Sequence, residues 1–403
     1  MKKLIAFLLA ALMLAGCTAA PAAVETTAVP TETTEVPTAS TTAPPVTTEA
    51  PPETTVSPEA LDMMIADMTL RQKVGQLFIV RPEQLVPKTG TVREVTPELE
   101  QALAEYPLGG LILFADNVMK PEQLLALNAG LAEIPGIPMF IAVDEEGGLV
   151  ARLANNWKFK LTKYESAMAV GASGDPADAL EMGRTIGGYL SEYGFNLDFA
   201  PVADVHTNPK NPVIGTRAFS TDPVIAAQMV AAFADGLEEK GIIATFKHFP
   251  GHGDTAEDSH SGLAVVHKTR EELESCEFIP FREATSRDMV MVAHVALPNV
   301  TGDMTPATLS PAIVTGILKE ELGFEGLIIT DAMEMGAIVE TYGSGSAAVA
   351  ALQAGCHIIL IPEDLPEAFD AVLAALEDGT LSIEWLDETV RKILEFKQLH
   401  GIL

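Results

Sequence analysis

The chain has 403 residues, of which 25 are basic and 56 acidic, and its formal net charge is −31. Hydrophobic residues make up 48% of the sequence and aromatic residues only 6%. The apolar fraction is high enough for an extensive core, which excludes a mostly disordered protein. The acidic excess argues against nucleic acid as the main partner, because the field of the whole molecule repels phosphate.

The first 17 residues have the pattern of a secretory signal. Lys2 and Lys3 precede the apolar run 4–14, which is too short to span a bilayer comfortably. Small residues follow, and Leu-Ala-Gly-Cys, which ends at Cys17, resembles the lipobox of bacterial lipoproteins. This resemblance implies cleavage before Cys17, a lipid on its thiol, and an extracytoplasmic protein anchored to the cell membrane. An ordinary secretory signal with an incidental cysteine is the alternative.

Residues 18–58 consist almost entirely of Thr, Pro, Ala, Val and Glu. Without aromatic or long aliphatic side chains, this segment cannot bury enough surface to fold. We therefore predict a disordered tether, extended and stiffened by proline, between the lipid anchor and a folded domain. The predicted catalytic domain comprises residues 59–403.

Within residues 59–403, short apolar runs alternate with segments of helical periodicity. Most of the runs are continuously apolar, as expected for strands that are covered on both faces. Eight such strands alternating with helices predict an α/β fold, namely a single (β/α)8 barrel of the TIM type. An open doubly wound sheet is the alternative, but the chain has no GxGxxG or Walker sequence. The predicted strands are 77–80, 111–114, 139–143, 197–199, 242–246, 289–293, 327–330 and 358–361, and the clearest helical segments are 121–131, 177–193, 223–239 and 310–322.

Ionisable residues stand at the ends of five of these strands. In a barrel all the carboxyl ends of the strands surround one mouth, where barrel enzymes hold their catalytic residues. An ionisable side chain at the end of a buried strand is costly unless it is paired or functional. We therefore predict an active site at this mouth. The residues are Asp144 after the third strand, Asp204 and His206 after the fourth, Lys247 and His248 after the fifth, His294 after the sixth and Asp331 after the seventh.

The loop from Lys247 to His260 has three interpretations. A metal site would use His248 and His252 with a carboxylate, but these histidines flank a Pro-Gly pair rather than sharing a helix face. His252 alone is well explained as a polar anchor of a Gly-rich loop. Asp258 and His260 favour acid/base chemistry, because in an extended segment both side chains lie on the same side. The carboxylate can then orient and charge-stabilise the imidazole.

Four motifs together resemble those of the glycoside hydrolase family 3 β-N-acetylglucosaminidases. The loop sequence is the most specific of them, and all four occur in the order found in that family. They are Lys-His-Phe-Pro-Gly-His-Gly-Asp-Thr at 247–255 followed by Asp258-Ser259-His260, Val-Asp-Glu-Glu-Gly-Gly at 143–148 with Arg152, Pro-Val-Ile-Gly-Thr-Arg-Ala-Phe-Ser at 212–220, and Thr-Asp-Ala-Met-Glu-Met-Gly-Ala at 330–337.

The resemblance implies a role for each matching residue. Asp331 would be the nucleophile, and His260 the acid/base with Asp258 as its partner. The terminal sugar would be bound by Asp144, Arg152, Arg217, Lys247 and His248. Leu149 stands where this family usually has arginine, a departure that removes no catalytic group but could alter a subsite.

These residues and the predicted location imply a retaining, exo-acting β-N-acetylhexosaminidase. It would remove terminal N-acetylglucosamine from cell-wall glycans or muropeptides through a covalent intermediate on Asp331. We expect no metal and no organic cofactor. Apart from the carbohydrate substrate, we expect contact with the membrane through the lipid anchor alone, and a monomer.

Several alternatives stay open at this point. Within the family they are an N-acetylglucosaminide phosphorylase and a β-glucosidase, and outside it a non-catalytic sugar-binding lipoprotein. A second carboxylate acid could be Glu145, Glu146 or Glu334. Asp198 and Asp204 are interpreted as hydrogen-bonding supports of the rim, and contact with substrate is an alternative role for Asp204. His294 is interpreted as a partner of a catalytic group.

Overall fold

The computed structural model describes residues 56–256 and 262–403. The predicted signal segment with Cys17, the tether up to residue 55, and the pair Asp258 and His260 lie outside the described residues. The first described helix, Pro58–Asp67, begins at the last residue of the predicted tether. Ser57 caps this helix, since its hydroxyl oxygen accepts a hydrogen bond from the backbone N–H of Ala60 at 3.2 Å.

Eight parallel strands form a nearly closed barrel, as predicted. Each corresponds to one of the apolar runs of the sequence, and the fifth is displaced furthest, because it begins three residues later than predicted. In chain order the strands are β1 (Phe78–Val80), β2 (Gly110–Ile112), β3 (Phe140–Val143), β4 (Leu197–Asp198), β5 (Thr245–Phe249), β6 (Met289–Val292), β7 (Leu327–Ala332) and β8 (Ile358–Leu360).

Neighbouring strands in the barrel are also neighbours in the chain, except that the first strand pairs with the last. The hydrogen-bonded order is β4-β3-β2-β1-β8-β7-β6-β5, so β1 lies beside both β2 and β8. Two isolated parallel bridges, Leu197 with Ile243 and Val202 with Lys247, join the β4 and β5 sides. All eight carboxyl ends consequently open onto the same face.

Two pairs of short strands lie outside the barrel sheet. Glu145–Gly147 and Val150–Ala151 form an antiparallel hairpin directly after β3. Ala264–Val265 and Val295–Ala296 pair in parallel after β5 and β6. Both pairs follow strand ends, so they belong to the face that the ionisable residues occupy.

Helices occupy the connections between the strands and cover the barrel. The predicted segment 310–322 forms a helix of π type over Ala312–Glu321. Two single turns, Gly215–Arg217 and Ala307–Leu309, are 3₁₀ helices. The α-helices after Pro58–Asp67 are Leu70–Gly75, Pro82–Leu85, Pro97–Glu105, Pro121–Ala132, Ala167–Gly171, Pro176–Glu192, Pro223–Glu238, Arg270–Glu274, Phe278–Phe281, Pro298–Thr301, Gly336–Val339, Ser344–Ala354, Leu365–Glu377 and Ile383–Leu399.

The helices Pro176–Glu192 and Pro223–Glu238 show how local sequence sets these elements. Each begins with proline after an aspartate cap, and Asp222 accepts a hydrogen bond from the backbone N–H of Val224 at 2.8 Å. The two helices approach closely at Gly183, where an added Cβ would lie 2.2 Å from the Phe233 carbonyl oxygen. A larger side chain there would force the helices apart.

The last helix, Ile383–Leu399, helps to close the amino-terminal end of the barrel. Lys397 is fully buried, and its Nζ lies 2.8 Å from Gln76 Oε1 and 3.0 Å from the Gly109 carbonyl oxygen. The same nitrogen is 4.8 Å from the centroid of the Phe140 ring. Within residues 56–256 and 262–403, no helix combines the length and apolar character needed to cross a bilayer.

Candidate active site

The structure brings six of the eight predicted catalytic and sugar-binding residues to the carboxyl-terminal mouth of the barrel. The other two, Asp258 and His260, lie in the segment 257–261, outside the described residues. The six are Asp144 after β3, Arg152 on the loop beyond it, Arg217 in the 3₁₀ turn, Lys247 and His248 in β5, and Asp331 in β7.

Asp144 binds two of the predicted cations. Its Oδ1 lies 2.9 Å from Lys247 Nζ, and its Oδ2 lies 3.1 Å from Arg152 Nη2. Burial raises the pKa of Asp144, but the positive charges of Lys247 and Arg152 outweigh it and hold this pKa below its ordinary value. Asp144 is therefore ionised at neutral pH and fixes both cations.

Glu146 anchors the third cation and shares the first. Arg217 donates to it through Nε and Nη2, each at 2.8 Å, and Lys247 Nζ lies 2.6 Å from its Oε1. Burial opposes ionisation of Glu146, yet the charges of Arg217 and Lys247 lower its pKa. An acid that is ionised and held by two cations is poorly suited to donate a proton. This geometry favours an anchoring role over the alternative role as acid.

Asp204 supports the end of β5 through three hydrogen bonds. Its Oδ2 lies 2.7 Å from His248 Nδ1 and accepts from the His248 backbone N–H at 3.2 Å, while Oδ1 accepts from the His252 backbone N–H at 2.6 Å. The His248 Nε2 is 3.4 Å from Arg217 Nη2. Asp204 is thus the hydrogen-bonding support that the sequence predicted, and His248, which it holds, contacts Arg217.

Lys247 and His248 both reach this site although they are adjacent in one strand, where successive side chains normally face opposite sides. The reason is a shift in strand register. Lys247 pairs with Met291 and Phe249 with Val292, so His248 is an extra residue in β5. Such bulges redirect a side chain, and this one places two consecutive polar side chains at the mouth.

Asp331 lies half-buried near the end of β7. Its Oδ1 accepts a hydrogen bond from the Ala332 backbone N–H at 2.8 Å. Burial raises the pKa of Asp331, but the positive charges of His248, His294 and Lys247, together with this hydrogen bond, lower it below its ordinary value. Asp331 is therefore an ionised carboxylate beside the Lys247 and His248 cluster.

His294 orders the peptide that follows Asp331. It is fully buried, and its Nε2 donates to the Ala332 carbonyl oxygen at 3.0 Å. Its Nδ1 lies 2.8 Å from the Thr308 hydroxyl oxygen. His294 thus has the positioning role that the sequence predicted, through the residue next to Asp331.

Glu145 and Asp198 hold the hairpin that carries Arg152. The carboxylate of Glu145 accepts from the backbone N–H groups of Leu153 and Ala154 at 2.9 and 2.8 Å, and from the Tyr189 hydroxyl at 2.8 Å. Asp198 Oδ1 accepts from the Glu145 backbone N–H at 2.9 Å. Burial raises the pKa of both acids. These contacts give Glu145 a scaffolding role, which the sequence offered only as an alternative acid.

The geometry around His248 and His252 is unfavourable for the alternative of a metal site. His248 Nδ1 is engaged by Asp204, and its Nε2 faces the guanidinium of Arg217, whose charge would repel a metal ion. Across residues 56–256 and 262–403, no three His, Cys, Asp or Glu side chains are grouped to hold a metal. His252 Nδ1 lies 2.9 Å from the Thr255 hydroxyl oxygen, which is consistent with a loop anchor.

Most of this chain is similar to known proteins. Residues 69–396 match the model of the glycosyl hydrolase family 3 N-terminal domain. The β-hexosaminidase A of Pseudoalteromonas piscicida is 36% identical over 332 residues, which are 75% of this chain and 55% of that protein. The β-hexosaminidase of Stenotrophomonas maltophilia strain R551-3 is 35% identical over 295 residues, or 72% of this chain and 86% of that protein.

A solved structure shows the same fold. The glycoside hydrolase family 3 β-N-acetylglucosaminidase from Paenibacillus sp. str. FPU-7 superposes with a TM-score of 0.78 at 40% identity, covering 83% of this chain and 63% of that one. The chain thus spans about half the length of the Pseudoalteromonas protein (55%) and less than two thirds of the Paenibacillus structure (63%).

Proposed function

This chain belongs to glycosyl hydrolase family 3, and we propose that it is a retaining, exo-acting β-N-acetylhexosaminidase that removes terminal N-acetylglucosamine. The observation that carries the proposal is the placement of Asp331, an ionised carboxylate at the barrel mouth, beside the Asp144, Lys247 and Arg217 cluster. The names of the β-hexosaminidase relatives support the choice of sugar.

The first step transfers the sugar to the enzyme. The Asp331 carboxylate attacks the anomeric carbon while the bond from that carbon to the leaving oxygen breaks. His260 gives its proton to the leaving oxygen, and Asp258 stabilises the imidazolium before transfer. Most retaining glycosidases use two carboxyl groups, whereas here an imidazole supplies the proton, which suits a group whose reference pKa is about 6.5.

The second step releases the sugar. Neutral His260 takes a proton from water as the water oxygen attacks the anomeric carbon, and the bond to Asp331 breaks. The products are free N-acetylglucosamine, the Asp331 carboxylate and protonated His260. The cations around Asp331 lower its pKa, so they also make it a better leaving group in this step.

The terminal sugar is held by the cluster around Lys247. Asp144 accepts hydrogen bonds from sugar hydroxyls, and Arg152, Arg217, Lys247 and His248 donate to them. The ion pairs between these side chains fix their positions before substrate arrives. The side chains therefore lose less conformational entropy when substrate binds.

The substrate and location are part of the same proposal. A lipid on Cys17 and the Thr/Pro-rich tether would place the barrel outside the cytoplasm on the cell membrane, where cell-wall glycans and muropeptides are the available substrates. Metabolic labelling with a radioactive fatty acid tests this, and loss of the label in Cys17→Ser is the expected result. A labelled Cys17→Ser protein would argue against the anchor.

Hydrolysis of two matched chromogenic substrates tests the activity. We expect rapid release of 4-nitrophenol from its β-N-acetylglucosaminide, slow release from the β-glucoside, and loss of both in Asp331→Ala. A fluorinated N-acetylglucosaminide that traps the intermediate should label Asp331. Label on another residue would contradict the proposed nucleophile, and turnover that requires phosphate would indicate a phosphorylase instead.

A further inference from the structure

Arg81 is a further cation at the mouth of the barrel, and none of the four sequence motifs includes it. It follows β1 directly, and its guanidinium carbon lies 4.9 Å from the centroid of the Phe114 ring. The guanidinium carbon of Arg152 lies 5.4 Å from the same centroid, and Arg152 binds Asp144 at 3.1 Å. The Phe114 ring therefore lies between Arg81 and Arg152, one of the residues proposed to hold the terminal sugar.

The exposed fraction of the side chain increases steadily along the row from Lys247 through Asp144 and Arg152 to Arg81. The exposed fraction is 3% for Lys247, 15% for Asp144, 26% for Arg152 and 36% for Arg81. The row thus runs from the buried floor of the pocket to its open rim. In an exo-acting enzyme the terminal sugar occupies the closed end, so the rest of the substrate leaves over the exposed end.

The present hydrogen bonding of Arg81 leaves its guanidinium available. Its Nη1 lies 3.4 Å from Glu334 Oε1, and both side chains are more than a third exposed. Ion pairs of this kind contribute little to stability. A ligand anion could therefore replace Glu334 without breaking a buried pair.

We propose that Arg81 is a specificity-determining residue that binds a carboxylate on the sugar unit next to the terminal one. This inference rests on the proposed function, because it assumes that the terminal sugar lies at the pocket floor. The planar guanidinium matches a carboxylate through two parallel hydrogen bonds. A local cation also matters in a chain of net charge −31, whose overall field repels an acidic substrate.

The test compares two disaccharides that differ only in a carboxylate-bearing group. One is N,N′-diacetylchitobiose, and the other is its β-1,4-linked analogue with N-acetylmuramic acid at the reducing end. The measured quantity is the ratio of kcat/KM for the acidic over the neutral disaccharide. In Arg81→Gln we expect this ratio to fall roughly 10- to 100-fold, as for loss of a hydrogen-bonded charged pair. Arg81→Lys should recover part of the ratio.

Two further variants make the test specific. Glu334→Gln removes the anion that competes for Arg81, so the ratio should rise about two- to fivefold, the size of a weak exposed pair. Arg93→Gln is the control, because Arg93 is an exposed cation on the same face whose Nε donates only to the Asp116 carbonyl oxygen among the described residues. This variant should leave the ratio unchanged.

The outcomes separate this inference from the function on which it rests. A wild-type protein that hydrolyses neither disaccharide nor the chromogenic N-acetylglucosaminide would overturn the proposed function. A wild-type protein that hydrolyses both disaccharides, with a ratio that Arg81→Gln does not change, would overturn the role of Arg81 alone. An equal loss on both substrates would also overturn it, because it would indicate a general structural role.

Discussion

Arg217 and Glu146 form a buried ion pair in which Nε and Nη2 of the guanidinium each lie 2.8 Å from a different carboxylate oxygen. Lys247 is bound to the same carboxylate at 2.6 Å. Glu146 is thus the common partner of two residues that are proposed to hold the sugar, although it is not proposed to react. This relationship links the stability of the barrel mouth to its ability to bind substrate.

Glu146→Gln should therefore weaken both folding and substrate binding. It leaves Arg217 and Lys247 buried without their shared anion, and breaking a buried pair typically costs about 3–5 kcal/mol of unfolding free energy. We expect urea denaturation to show a loss of unfolding free energy of this size, and we expect a raised KM on the chromogenic substrate.

The matched control is Glu239→Gln. Glu239 pairs with Arg184 through two hydrogen bonds of 2.5 and 2.7 Å, but both side chains are well exposed. Solvent screens that pair, so the control should change stability and KM little. Similar losses of unfolding free energy in the two variants would show that the effect of Glu146→Gln does not depend on burial of its ion pair.

His260→Ala should lower kcat by roughly 10²–10⁴-fold on substrates with a poor leaving group, the usual contribution of a general acid/base. On an aryl glycoside whose leaving group needs no proton, the first step should be much less affected. Steady-state and pre-steady-state rates for both substrates measure this difference. A variant within about threefold of wild type on a disaccharide would contradict the assignment, since general acid/base catalysis exceeds that effect. Asp258→Asn should show the same leaving-group dependence with a smaller loss.

The acidic limb of the pH dependence of kcat/KM should depend on the cations around Asp331. Because they lower the pKa of Asp331, its reactive, ionised form persists below the ordinary titration range of an aspartate, and activity through this group is lost only as pH falls through the lowered pKa. Lys247→Met removes one of these charges and should raise that pKa. The acidic limb of kcat/KM should then move to higher pH. An acidic limb that stays in place or moves to lower pH would contradict this electrostatic account.

Lys397 should make the stability of the protein depend on pH above neutrality. Burial lowers the pKa of Lys397 to about 7, far below the value of an unfolded lysine. Between these two pKa values the unfolded chain binds a proton that the folded chain does not, so the free energy of unfolding rises with pH. As a neutral amine, Lys397 can still donate to its two acceptors, Gln76 and Gly109.

Denaturation of Lys397→Met at several pH values measures this effect. Its stability relative to wild type should decrease from pH 7 to 10, with a slope approaching about 1.4 kcal/mol per pH unit. Lys240→Met, at an exposed position, is the control for the loss of one positive charge. A constant difference between Lys397→Met and wild type across this range would show that Lys397 stays charged in the folded protein.

Much of the fold could be predicted because it depends on local patterns. Continuous apolar runs that alternate with helical periodicity require strands covered on both faces, and the barrel satisfies this requirement with neighbouring strands in chain order. The positions of Asp144, Lys247, His248 and Asp331 at the ends of predicted strands likewise predicted that they would share one mouth. Local pattern did not predict the exact ends of β5 or the π helix at Ala312–Glu321.

What only the tertiary structure decided is which partner each charged side chain has. The sequence treats Glu145 and Glu146 as two adjacent acids of one motif, but in the fold one holds backbone N–H groups and the other holds Arg217 and Lys247. The bulge that brings both Lys247 and His248 to the mouth depends on pairing with β6, more than 40 residues away in the chain. Periodicity determines which face of an element is buried, whereas the pairing and pKa of a buried charge depend on distances between segments remote in sequence.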